Sequence, residues 1–264
     1  MWSLTLLMGA LATFPLAIAF LVVGGRIHRR SRLEAQPPLA FFAAFWVGVG
    51  IYGLAEAVWI AAWFAGFATL PLALFVLHLK IVASVGGFAG LVAYLLTIRG
   101  VDRRIVATIF GSYVLVLALV ETFYSWRSPI GQEPGAWGMR LVYEQNATQP
   151  WWTIVLLVLF VPPLLSAVSY ALLLRHVAGP AQRYRIALTS ASLLLFFLPV
   201  LLSWRAGGFP WWGAVEKLLS ALMAMGVVLA LWPPERTRRW LATLPTVERR
   251  ERDAALVRRA TELV

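Results

Sequence analysis

The 264-residue chain contains no cysteine, which excludes disulfides, thiolate nucleophiles and thiolate metal sites together. Charge is scarce: 13% of residues are Asp, Glu, Lys or Arg, where soluble domains carry about 25%. Aspartate occurs only as Asp102 and Asp253, both outside the apolar runs, so a paired-aspartate hydrolase lacks its parts. No H-E-x-x-H and no G-x-S-x-G element is present. His28 and His176 flank apolar runs and only His78 lies within one, which leaves no facing imidazole pair for a haem. These absences point away from catalysis, and no resident metal or cofactor is expected.

What the chain has is apolar surface. Hydrophobic residues make up 61% and the mean hydropathy is +0.78, the signature of a membrane protein. Seven apolar stretches, at about 2–24, 38–64, 68–98, 105–124, 150–175, 186–204 and 211–232, are each long enough for a core of roughly 30 Å. They are continuous rather than alternating, so they predict helices and exclude a barrel. The expected fold is therefore an all-α integral membrane protein, with a seven-helix bundle over residues 1–232 and a basic cytoplasmic tail over 233–264. The first stretch is followed by Arg26, Arg29, Arg30 and Arg32 rather than a small-residue cleavage site, so it reads as a span and not as a signal peptide.

The net charge of +11 sorts by side. Eighteen of the 23 basic residues fall in the odd-numbered connections and the tail, and only Arg127, Arg140 and Arg205 in the even-numbered ones. Basic short loops mark the cytoplasmic face, so the amino terminus is expected outside and the carboxyl terminus in the cytoplasm of a multi-pass protein of a prokaryotic inner (plasma) membrane. The basicity is then topology, and nucleic acid is not an expected partner. Trp151, Trp152, Trp211, Trp212 and Trp232 sit at span ends, where indoles favour the headgroup layer. The segment from Tyr124 to Pro150 reads as an external lid or loop. Residues 246–264 form a basic amphipathic stretch suited to the anionic inner leaflet or to a cytoplasmic protein partner.

Ionisable residues inside spans are costly, at least about 2.5 kcal/mol each at the bilayer centre, and mark function or pairing. They are Glu56, His78, Lys80, Glu121, Glu216 and Lys217. At about 1.5 Å per residue all lie in the outer half, so a polar cavity should open outward. The chain's only two lysines are the two in spans, among 21 arginines elsewhere, and a compact amine that can shed its proton is favoured there. Tyr52, Glu56, Trp59 and Trp63 share one helical face and suggest a ligand wall. Lys80-Ile81-Val82-Ala83-Ser84 and Lys217-Leu218-Leu219-Ser220-Ala221, with Pro15-Leu16 and Pro163-Leu164, suggest a 3+1+3 parallel repeat. Small residues at Gly48, Gly86, Gly90 and Ala224 suit close helix contact.

From Leu39 to Arg239, several features resemble the seven-helix sensor module of bacterial histidine kinases. They are the Phe45-Trp46 to Glu56 helix, the Leu79-Lys80-Ile81 step, the Pro134-Gly135-Ala136-Trp137 loop and a proline late in helix six before Gly207-Gly208. The resemblance implies ligand perception outside and relay inward; with a 32-residue tail, relay would run through a partner. A second resemblance is to retinal proteins, through Lys217 and the Phe196, Phe197, Pro199 and Trp204 wall. It implies a retinal on Lys217 with Glu56 or Glu121 as counter-ion, but Gly213, His78 and Lys80 stand where microbial rhodopsins carry acids. The leading expectation is a non-enzymatic receptor for a small anionic or amphiphilic ligand. Its outward cavity is lined by Glu56, Lys80, Glu121 and Lys217, with Glu216, His78, Tyr52 and Trp59 around them. A small-solute carrier built from the repeats is the alternative, and a structural subunit of a membrane complex a third.

Overall fold

The computed structural model describes residues 2–125, 131–135, 138–142, 149–177, 179–206 and 212–244. Seven long helices form where the apolar runs lie: α1 (Trp2–Leu33), α2 (Pro37–Phe64), α3 (Leu70–Ile98), α4 (Arg103–Ser125), α5 (Gln149–Leu172), α6 (Pro180–Ala206) and α7 (Trp212–Leu231). Their ends follow local chemistry. Proline in the first turn starts α2 and α3, and the Thr69 side chain caps α3 by accepting from the Leu72 amide. Gly66 and Gly100, at φ 78° and 73°, end the same two helices, with Phe67 N–H donating to the Ala62 carbonyl at 2.8 Å and Val101 N–H to that of Leu96 at 3.0 Å. After α1 the left-handed position is taken by Ala35 at φ 48°.

The helices pack in chain order, and α7 closes the ring on α1. Neighbours run antiparallel: a Cβ on Gly53 would face Ala17, one on Gly50 Leu21 and one on Gly24 Val47. In addition α3 packs against α5, which leaves α4 on the flank against α3 and α5. The α2–α3 crossing is tight because glycine permits it. A Cβ on Gly90 would stand 2.7 Å from the Phe41 carbonyl oxygen, and one on Gly48 2.9 Å from the Gly87 Cα. Gly86, expected in such a contact, instead faces open space. The core runs from α1 through α7 around the fully buried Phe45 and Trp46.

Three helices, Leu11–Leu33, Pro38–Phe64 and Leu70–Ile98, are long and apolar enough to cross a membrane, and Val215–Leu231 with Glu235–Thr243, bent by 58°, makes up to four among the described residues. The chain is thus a multi-pass helical protein by length and composition. Three features differ from the sequence reading. First, α1 runs on past its apolar stretch to Leu33, with Arg30 paired to Glu34 at 2.7 Å. Second, the segment between α4 and α5 forms an antiparallel ribbon, β1 (Gly131–Gly135) with β2 (Gly138–Val142), and β2 packs against α2. Third, a short helix α8 (Glu235–Thr243) follows Pro233 and Pro234 and packs against α6. Its arginines, some bonded to Glu235, and its exposed Trp240 make it a surface helix, set at the bend that follows the apolar helix α7. The tail stretch 246–264 lies outside the described residues.

Candidate functional site

A cavity of about 230 Å³ lies between α2, α3, α5, α6 and α7, with Glu216 and Lys217 of its wall in the first turns of α7, at the end of the bundle that carries the ribbon. Its walls are Phe45, Gly48, Val49 and Tyr52 from α2, Ala83, Ser84, Gly87 and Phe88 from α3, Phe160 from α5, Leu195, Phe196 and Pro199 from α6, and Glu216, Lys217, Ser220 and Met223 from α7. The glycines let two backbones approach where a side chain would fill the space. Pro199 has no N–H for the carbonyl of Leu195, four residues before it, and both residues line the cavity, so a bare backbone acceptor belongs to the wall.

The floor is aromatic. Phe45 meets Phe196 with ring centroids 5.5 Å apart, and Phe88 meets Phe160 at 5.2 Å and Phe196 at 5.9 Å, all near edge-on. Phe197, 6.1 Å from Phe88, continues the layer beneath. Such pairs prefer offset or edge-to-face geometry, and they seal the cavity from the other end of the bundle.

The rim is charged. Lys80 forms an ion pair with Glu56 across α3 and α2, and its ammonium lies 4.6 Å from the centre of the Tyr52 ring. Both charged side chains are about a quarter exposed, at 22% and 25%. Lys217 feels the attraction of Glu56 and Glu216 and the repulsion of Lys80, yet its ammonium makes no ion pair among the described residues. Two acids and two bases thus meet across three helices; with Lys80 and Glu56 paired, Glu216 and Lys217 both line the cavity. Ser84 and Ser220 donate their protons to the carbonyls of Lys80 and Glu216, each at 2.8 Å, and so offer the cavity lone pairs only. Anion recognition in this cavity falls to Lys217.

The residues singled out in the sequence separate into groups. Tyr52, Glu216 and Lys217 line the cavity, and Glu56 and Lys80 form the pair at its rim. His78, half-buried on α3, is outside the lining. Trp59 is buried at 6% exposure against Ala55, Ala73 and Val76 in a satellite core, so the proposed aromatic wall ends at Tyr52. The side chain of Glu121 lies outside the described residues, as do those of Trp151, Trp152, Trp211 and Trp212. Trp232 is described, and Arg26 stacks over its ring at 5.2 Å. Among the described residues no group of three or more His, Asp or Glu forms a metal site.

The sequence reading missed the floor phenylalanines of α2, α3 and α5, because an aromatic inside an apolar run carries no mark of its position. It also missed a cluster nearer the other end of the bundle, where the buried Tyr170 lies beside both Tyr94 and Thr189, themselves buried. No family model matches the chain, and no curated protein matches it either.

Proposed function

We propose that the chain is a seven-span plasma-membrane protein, amino terminus outside, that binds a small amphiphilic anion in an outward-facing cavity. The observation that carries this is an ammonium, Lys217, that makes no ion pair among the described residues and lines the cavity together with a set of phenylalanines. A half-buried amine of this kind seeks an anion, and the floor seeks an apolar body. The volume of 230 Å³ lies below the roughly 300–1,000 Å³ of drug-sized pockets, which favours a fragment-sized carboxylate. Orientation rests on the arginine-rich connections, which belong to the end opposite the ribbon. α6 lines the cavity and also carries α8, so a receptor-like relay of occupancy to a cytoplasmic partner has a continuous element to run through.

The test is binding of 3-phenylpropanoate, a fragment-sized aromatic carboxylate, read by tryptophan fluorescence of the purified protein. The carboxylate should bind, its neutral amide should not, and Lys217→Met should lose the difference while keeping its helicity. Equal binding of acid and amide, or full binding by the variant, contradicts the site. An absorption spectrum of the same sample decides whether a chromophore occupies Lys217 instead.

A further inference from the structure

We infer that the protein is a carrier, in which two three-helix units, α1–α3 and α5–α7, rock about this cavity and the described state is the outward-open one. The inference rests on the binding reading above and adds movement to it. The first support is the packing pattern. α1 on α2, α2 on α3 and α3 on α5 recur as α5 on α6, α6 on α7 and α7 on α1, with α4 outside the pattern as a linker. Exchanging the two units maps the contacts onto themselves, as parallel repeats with a site at their interface require.

The second support is a sequence register that the structure corrects. Lys80, Ser84 and Gly90 on α3 recur at the same spacing as Glu216, Ser220 and Gly226 on α7, one residue away from the lysine-on-lysine match. Both serines donate to the carbonyl of the charged residue four positions earlier. Both glycines abut the preceding helix, Gly90 at the Phe41 carbonyl and Gly226 at Ser192. Each unit thus presents one charge, one serine and one close crossing.

The third support is where the units touch. Phe45 and Phe88 of the first unit meet Phe196, Phe160 and Phe197 of the second below the cavity. Tyr94 meets Tyr170 at 6.1 Å between ring centres, and Arg26 meets Trp232 at 5.2 Å, nearer the cytoplasmic end. These described contacts join the two units below the cavity, on the side away from Glu216 and Lys217. Beneath the phenylalanine layer, about 9 Å down α6 from Phe196, Ser190 is 3% exposed and its hydroxyl has no partner among the described residues, as expected of a group that meets water when the inner side opens.

Because the chain has no cysteine, single thiols report access without background. Ser220→Cys, in the cavity, and Ser190→Cys, below the layer, are made singly and together in the full chain. A membrane-impermeant maleimide is added to intact cells or to inverted vesicles, with total thiol measured after denaturation in SDS. Position 220 should label from outside and position 190 from the cytoplasmic side. In the double variant, a bulky maleimide placed on position 220 from outside should slow cytoplasmic labelling of position 190 by about tenfold, since a wedged outer cavity cannot close. Labelling at 220 with none at 190, or labelling at 190 that ignores the wedge, overturns alternating access and leaves a fixed cavity. Failure of position 220 to label from outside overturns the outward cavity itself.

Discussion

Replacing Lys80 by methionine removes one of four charges that cancel over α2, α3 and α7, and the consequences can be worked through. A fully exposed ion pair is worth about 0–1 kcal/mol, and breaking a fully buried one costs about 3–5 kcal/mol. With its members 22% and 25% exposed, the Lys80–Glu56 pair stands between, so an uncompensated Glu56 should cost about 2 kcal/mol. Lys217 also attracts Glu56 and is free to turn toward it, which should bring the loss in Lys80→Met down to about 1 kcal/mol. That rescue draws the cavity's amine away from its ligand. Lys80→Met should therefore weaken 3-phenylpropanoate binding about tenfold although Lys80 is not in the cavity wall, and adding Glu56→Gln should restore it. Stability is followed by tryptophan fluorescence during SDS titration in detergent, and affinity by fluorescence on the same samples. Additive losses in the double variant, or an unchanged affinity in Lys80→Met, would refute the coupled four-charge rim.

Gly48→Ala puts a methyl 2.9 Å from the Gly87 Cα and should destabilise by about 1–3 kcal/mol in the same titration, whereas Gly86→Ala, facing open space, should not. Ala35→Gly relieves a left-handed alanine after α1 and should raise stability by about 0.5–1 kcal/mol, seen as a higher unfolding midpoint. Phe88→Ala removes a ring that touches Phe160, Phe196 and Phe197; it should open the layer and let the thiol of Ser190→Cys react from the cavity side, as maleimide labelling would show. Tyr170→Phe removes the hydroxyl that α5 presents to Tyr94 of the other unit and should speed cytoplasmic labelling at the same position.

The element plan was legible because lipid and core impose the same rule on each apolar run, and the helices formed where those runs lie. Boundaries were less legible. α1 continues through Arg26 to Leu33 because a helix end is set by capping, which hydropathy does not register. α8 escaped notice because nine residues with three arginines and one glutamate have no apolar length, only i,i+3 and i,i+4 pairing from Glu235 and a buried Leu241. Of the ionisable residues that stand out against the apolar background, Lys80 pairs with Glu56 and Glu216 and Lys217 line the cavity, while His78 lies outside the lining. The aromatic guide failed at Trp59, since one helical face spans both a cavity at Tyr52 and a packing contact about two turns further on. Phe45, Phe88 and Phe160 could not be chosen from 15 phenylalanines until three-dimensional packing placed them together.

The most direct measurement of the central claim is ligand protection of a cavity thiol from one side of the membrane. In cells carrying Ser220→Cys, 3-phenylpropanoate outside should slow labelling by an impermeant maleimide, and the corresponding amide should not. Adding Lys217→Met should remove the protection without changing the labelling rate in its absence. Protection by acid and amide alike, or protection that survives Lys217→Met, would contradict an outward-facing cavity that recognises an anion through this lysine.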